Sequence, residues 1–95
     1  MEKRWYRIRI TQKEMLSGKE NTLKKEFEML YKRTSNAAGM MLLKSNSKQS
    51  DGVVYYISVP KSFALDLSTT MSNYLISSSD EPFVEELELI AGERD

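Results

Sequence analysis

The chain has 95 residues, 40% of them hydrophobic, and its 14 basic and 14 acidic side chains give a formal net charge of zero. This length supports one hydrophobic core, so we expect a single domain over residues 1–95 with a polar tail from about residue 92. Zero net charge provides no protein-wide field to attract a polyanion. The absence of cysteine and histidine excludes disulfides, thiolate catalysis and the commonest metal ligands, so we expect no cofactor and no metal.

The first predicted element is a strand from Trp5 to Thr11, because side chains of different character alternate along it. Successive side chains of a strand point to opposite faces. One face would carry Tyr6, Ile8 and Ile10, and the other would carry Trp5, Arg7 and Arg9.

A helix is predicted to begin near Ser17, because Ser17 and Glu20 have the spacing of a capping box. Apolar residues then recur at helical spacing, namely Leu23, Phe27, Leu30 and Tyr31. Asn36 and Gly39 are plausible stop signals for this helix.

Two strands are expected next, Met40–Lys44 and Val53–Val59, joined as a hairpin by a polar loop. Val53–Val59 is rich in β-branched and aromatic residues and has Gly52 before it and Pro60 after it. Met40–Lys44 would also extend the preceding helix in phase. We favour the strand, because glycine is costly inside a helix and Val53–Val59 needs a partner.

A second helix is predicted to begin at Ser62 and to end before a loop over residues 77–80. The last strand, from Val84 to Ile90, places Leu87 and Leu89 opposite Glu86 and Glu88.

This β-α-β-β-α-β order resembles the ferredoxin-like sandwich, an α+β fold with a four-stranded antiparallel sheet and two helices on one face. The resemblance implies that the first and third strands lie in the middle and that the fourth lies beside the first. The second face of the sheet would then stay open. No family motif accompanies the resemblance, and a fold alone does not imply a function.

The open face is the predicted binding surface, since tryptophan, tyrosine and arginine are enriched at binding hot spots. The fourth strand would bring two glutamates opposite the arginines, forming cross-strand ion pairs. In the alternative, Trp5 lies under Pro82–Phe83 or a loop. The candidate binding residues are Trp5, Arg7, Arg9, Tyr56, Glu86 and Glu88.

From these patterns we expect a non-enzymatic protein-interaction or regulatory domain that self-associates as a homodimer through the open face and could bind a protein partner. The alternative function is a dimeric α+β barrel that binds or transforms a small molecule. Catalysis is less favoured, because Glu85 and Glu86 would point to opposite sides of their strand and form no dyad.

Nucleic acid is not expected as a partner, because Glu86 and Glu88 would cancel the charge of the arginines. No membrane association is expected, since the longest apolar run, Ala37–Leu43, is far too short to span a bilayer. The N-terminal residues lack the apolar core of a secretory signal, so we expect a cytoplasmic protein.

Overall fold

The sheet in the computed structural model, which describes residues 3–33, 40–46 and 51–93, has five strands that are all antiparallel to their neighbours. The strands are β1 (Lys3–Ile10), β2 (Met41–Lys44), β3 (Val53–Pro60), β4 (Leu75–Ser79) and β5 (Glu88–Gly92). Their order across the sheet is β4-β1-β3-β2-β5. The helices within these residues are α1 (Gln12–Leu16), α2 (Lys19–Arg33) and α3 (Ala64–Thr70).

The prediction of a four-stranded ferredoxin-like sandwich with two helices is therefore wrong, although the α+β class is correct. The unpredicted strand is β4, which occupies residues assigned to the end of a helix and to a loop. Three of its five residues are serine, so it lacks the apolar alternation that identifies a strand. The predicted last strand forms only as β5, and it lies beside β2 at the edge opposite β4.

The predicted hairpin is confirmed. Strand β2 pairs antiparallel with β3, with Met41 opposite Ser58 and Lys44 opposite Tyr55. The alternative in which residues 41–44 extend the helix is wrong. The predicted stop signals Asn36 and Gly39 lie outside the described residues.

The capping box lies earlier in the chain than predicted. The Thr11 backbone N–H donates to Glu14 Oε1 at 3.0 Å, and the Glu14 N–H donates to Thr11 Oγ1 at 3.2 Å. This reciprocal pair starts α1, which ends at Leu16, and α2 begins at Lys19 after Gly18 with φ 86°. The predicted helix therefore corresponds to α2, which begins within two residues of Ser17, and α1 is an additional short helix, separated from it where a glycine adopts a left-handed conformation.

The core lies between the helices and one face of the sheet. The strands β1, β3 and β2 contribute Ile8, Tyr55 and Leu42 to this core, and all three side chains are fully buried. The helices contribute Leu23, Phe27, Leu30 and Leu67. None of the helices that the structure describes is long and apolar enough to cross a membrane.

Two glycines allow close backbone approaches at the ends of strand pairs. Gly52 has φ 131°, and a Cβ atom there would overlap the backbone carbonyl of Ile10. Gly92 has φ 89°, and a Cβ atom there would overlap the carbonyl of Met40. Only glycine tolerates both the positive φ and the lack of space, so these residues hold β3 against β1 and β5 against β2.

We predict that Gly52→Ala lowers the free energy of unfolding by about 3 kcal/mol or more, because a left-handed residue and a backbone overlap must both be relieved. Gly18→Ala is the matched control, since Gly18 also has positive φ but has no atom within 4 Å of the added Cβ. Its expected cost is about 1 kcal/mol. Urea denaturation measures both values, and equal losses would contradict the role assigned to the close approach at Gly52.

Candidate functional site

The sheet face opposite the helices brings together the aromatic and arginine residues predicted from the sequence. Strand pairing places Trp5 opposite Ser58, Arg7 opposite Tyr56, and Arg9 opposite Val54. Directly opposed residues of antiparallel strands share a face. The grouping of Trp5, Arg7, Arg9 and Tyr56 on one face is therefore confirmed.

This face is partly covered by residues 80–87, which we name the crossing segment because they connect β4 at one edge to β5 at the other. Val84 and Leu87 of this segment pack against a cluster of Trp5, Met41 and Leu43. Trp5 is only 8% exposed as a result. The expectation of an exposed indole is wrong, and the alternative that a loop covers Trp5 is correct.

The predicted ion pairs between the two arginines and the two glutamates do not form. Glu88 lies in β5 opposite Lys44 of β2, and Glu86 lies in the crossing segment. Strands β2 and β3 separate β5 from β1, which carries Arg7 and Arg9. The predicted cancellation of charge fails because the last strand pairs with β2 and not with β1.

The other half of the face stays open to solvent. We name it the uncovered half-face, and its residues are Arg7, Arg9, Val54, Leu75 and Ser77. They line an open concavity of about 650 Å³ together with Tyr74 and Ile76. Leu75 is 66% exposed, and it lies opposite Arg9 on the neighbouring strand. The uncovered part of the predicted binding face therefore lies at one end of the sheet.

The two arginines of the uncovered half-face are exposed. Arg9 contacts Asp51 at 3.6 Å, and half or more of each side chain remains exposed. Arg7 is exposed and forms no ion pair within the described parts of the chain. An exposed pair of this kind contributes about 1 kcal/mol or less, so Asp51 holds Arg9 only weakly.

The crossing segment gives the same surface an acidic region. Its charged residues are all acidic and all exposed, namely Asp80, Glu81, Glu85 and Glu86. Phe83 lies among them and is 67% exposed. Because this segment crosses the face that carries Arg7 and Arg9, acidic and basic regions lie on one surface of the molecule.

A polar cluster on the opposite side of the sheet ties helix α2 to the strands. The Tyr55 hydroxyl donates to the Glu20 carboxylate, and Lys44 Nζ lies 2.8 Å from Glu20 Oε2. Burial alone would raise the pKa of Glu20, but hydrogen bonds from Lys44 and Tyr55 hold this pKa below its ordinary value. Burial and the Glu20 carboxylate raise the pKa of Tyr55 far above the usual range. Tyr55 therefore acts as a protonated hydrogen-bond donor near neutral pH.

A second tyrosine, Tyr74, also has a raised pKa. Burial, followed by the nearby Glu26 carboxylate, raises the pKa of Tyr74 to about 12. The Tyr74 hydroxyl and Glu26 Oε2 are both buried. Neither atom forms a hydrogen bond of standard geometry with a residue that the structure describes. Lys19 Nζ lies 4.8 Å from the centre of the Tyr74 ring and 3.1 Å from Glu14 Oε2.

Within residues 3–33, 40–46 and 51–93, no group of three acidic side chains could hold a metal ion.

We predict that Trp5→Ala lowers the free energy of unfolding by about 3 kcal/mol or more, because it removes a buried indole from its cluster with Val84 and Leu87. Leu75→Ala is the control, since Leu75 is largely exposed. Its expected effect on the monomer is within about 0.5 kcal/mol. Denaturation at low protein concentration measures both, and a fully stable Trp5→Ala monomer would show that the crossing segment does not depend on the indole.

The lowered pKa of Glu20 predicts a loss of stability in acid. A carboxylate with a depressed pKa in the folded state stabilises the protein above its ordinary pKa of 4.5, and this contribution disappears as the pH falls through the folded pKa. The difference in unfolding free energy between wild type and Glu20→Gln should therefore shrink below about pH 4.5. Glu28→Gln, on the exposed side of α2, is the charge-matched control. Denaturant titrations from pH 7 to pH 3 test this, and a constant difference for Glu20→Gln would contradict it.

No protein-family model, curated protein or solved structure matches the chain.

Proposed function

We propose that this chain is a small non-enzymatic interaction domain that associates with a second copy of itself through the uncovered half-face. The observation that supports this proposal is the presence of a basic region with Arg7 and Arg9, and of an acidic crossing segment, on one surface of the molecule. The exposed Leu75 lies at the basic end of that surface.

A second copy suits this surface because twofold dimers use the same patch on both subunits. Such a patch must complement itself. A surface with both signs of charge meets this condition, since the arginines of each copy can contact carboxylates of the other. Both contacts then form twice, related by the twofold axis.

The apolar and charged residues have different roles in this association. Burial of Leu75 in a contact would contribute about 2 kcal/mol before ordering costs. Exposed ion pairs at the rim add little to affinity, but they orient the partners and disfavour wrong ones. We therefore assign affinity mainly to Leu75 and to Val54, which lies on the other side of Arg9, and specificity to Arg7 and Arg9.

The alternative function, a dimeric barrel around a small molecule, has less support. Ligand sites of that kind are enclosed and mostly apolar. The concavity of about 650 Å³ is open, lies on one sheet, and includes two arginines.

The expectation that nucleic acid is not a partner stays a prediction. The pairing of Glu86 and Glu88 with the arginines no longer supports it. Its remaining support is the zero net charge and the acidic crossing segment beside the half-face.

We also propose a cytoplasmic location, since a chain without cysteine gains no disulfide from an oxidising compartment.

The charge-reversed double variant Arg7→Glu/Arg9→Glu should weaken self-association at least about tenfold, which corresponds to about 1.4 kcal/mol, because it places like charges opposite the crossing segment of the second copy. Lys13→Glu/Lys25→Glu changes the net charge equally at exposed positions of α1 and α2, and it should leave the dissociation constant unchanged. Sedimentation equilibrium measures the three proteins. A wild type that remains monomeric at its highest soluble concentration, or equal weakening by both variants, would refute the proposal.

A further inference from the structure

The two edges of the sheet differ in how they are protected from pairing with another strand. Strand β5 contains Glu88, has a bulge in its pairing with β2, and ends at Gly92 with positive φ. Strand β4 has the sequence Leu-Ile-Ser-Ser-Ser, with no charged residue and no proline, and its pairing with β1 is regular.

Unpaired edge strands attract other strands, and proteins usually protect them with charges, prolines or bulges. Strand β5 has two of these features and β4 has none. In the described part of the sheet, β4 pairs with β1 alone, so its outer backbone groups are available for a further ladder. The edge at β4 is therefore the one suited to strand addition.

We propose that two copies join by antiparallel pairing of β4 with β4, centred on Ser77, so that two five-stranded sheets become one sheet of ten strands. This inference rests on the proposed self-association and places the contact at the β4 edge of the uncovered half-face, which contributes Leu75 and Ser77. A twofold axis requires the two identical strands to run antiparallel. Only an axis at Ser77 pairs all five residues, with Leu75 opposite Ser79 and Ile76 opposite Ser78 of the second copy.

Charge complementarity supports a second copy as the occupant of this edge. Leu75 lies opposite Arg9 on one side, and the pairing places Ser79 of the second copy on its other side. Asp80 and Glu81 follow Ser79 in the chain, so they reach the same end of the sheet. Two strand spacings, about 10 Å, separate Arg9 from the added strand, and the long arginine side chain and an acidic side chain together span that distance.

The same arrangement covers the exposed apolar residue of the half-face. Leu75, exposed in one copy, would lie between Arg9 and the added strand. Pairing of β4 with β5 of a second copy would instead be head-to-tail, which leads to open filaments. Glu88 and the bulge oppose that arrangement.

Disulfide trapping tests the register directly, because the chain contains no cysteine. Residues that face each other across antiparallel strands have Cα atoms about 4.5–5.5 Å apart, which is within the range that a disulfide bridges. Ser77→Cys should form a covalent dimer under oxidised glutathione at least about ten times faster than Asn21→Cys, an exposed control on α2. A mixture of Leu75→Cys and Ser79→Cys should form a mixed disulfide faster than either variant forms a dimer with itself.

The outcomes separate this inference from the proposed function. If wild type dimerises in sedimentation equilibrium and Ser77→Cys is trapped no faster than Asn21→Cys, the strand pairing is wrong and the self-association stands. If wild type is monomeric and neither variant is trapped, both proposals are wrong. Rapid trapping of Ser77→Cys, together with the mixed disulfide, supports the ten-stranded sheet. Circular dichroism of each reduced variant confirms that it is folded before oxidation.

Discussion

The passage of residues 80–87 across the sheet is the constraint on which the rest of this surface depends. Strand β4 ends at one edge and β5 begins at the other, so the connection must cross three strands. It does so over Trp5, Met41 and Leu43, and Val84 and Leu87 bury that cluster. Because an apolar cluster of this size is costly to expose, the crossing segment is held on the sheet, and its acidic residues are held there with it.

The crossing divides the sheet face into two regions with different roles. Under the segment, Trp5 contributes to stability as a core residue. Beyond it, Arg7 and Arg9 remain exposed beside Leu75. Three residues on the same face of β1 thus have two roles: Trp5 packs under the crossing segment, and Arg7 and Arg9 lie on the uncovered half-face. The proposed self-association needs only the second region.

The helix-covered side of the sheet is stabilised in another way. Glu20, Lys44 and Tyr55 form a partly buried polar cluster that joins α2 to β2 and β3. Hydrogen bonds from Lys44 and Tyr55 lower the pKa of Glu20, and burial together with the Glu20 carboxylate raises the pKa of Tyr55, so Glu20 is ionised and Tyr55 is protonated near neutral pH. The candidate interaction surface lies on the opposite face of the same sheet.

The sequence by itself determined β1, the hairpin of β2 and β3, and the grouping of Trp5, Arg7, Arg9 and Tyr56, because alternation and β-branched density are local signals. It did not reveal β4, whose serines lack that alternation, or the short helix α1 that precedes Gly18. Only the tertiary structure decided which edge the last strand joins, and hence that β5 with Glu88 is separated from β1 and that Trp5 is buried under the crossing segment. Packing between distant segments decides which strands become neighbours. Alternation along a strand predicts which face a side chain lies on, but it does not predict whether a later segment covers that face.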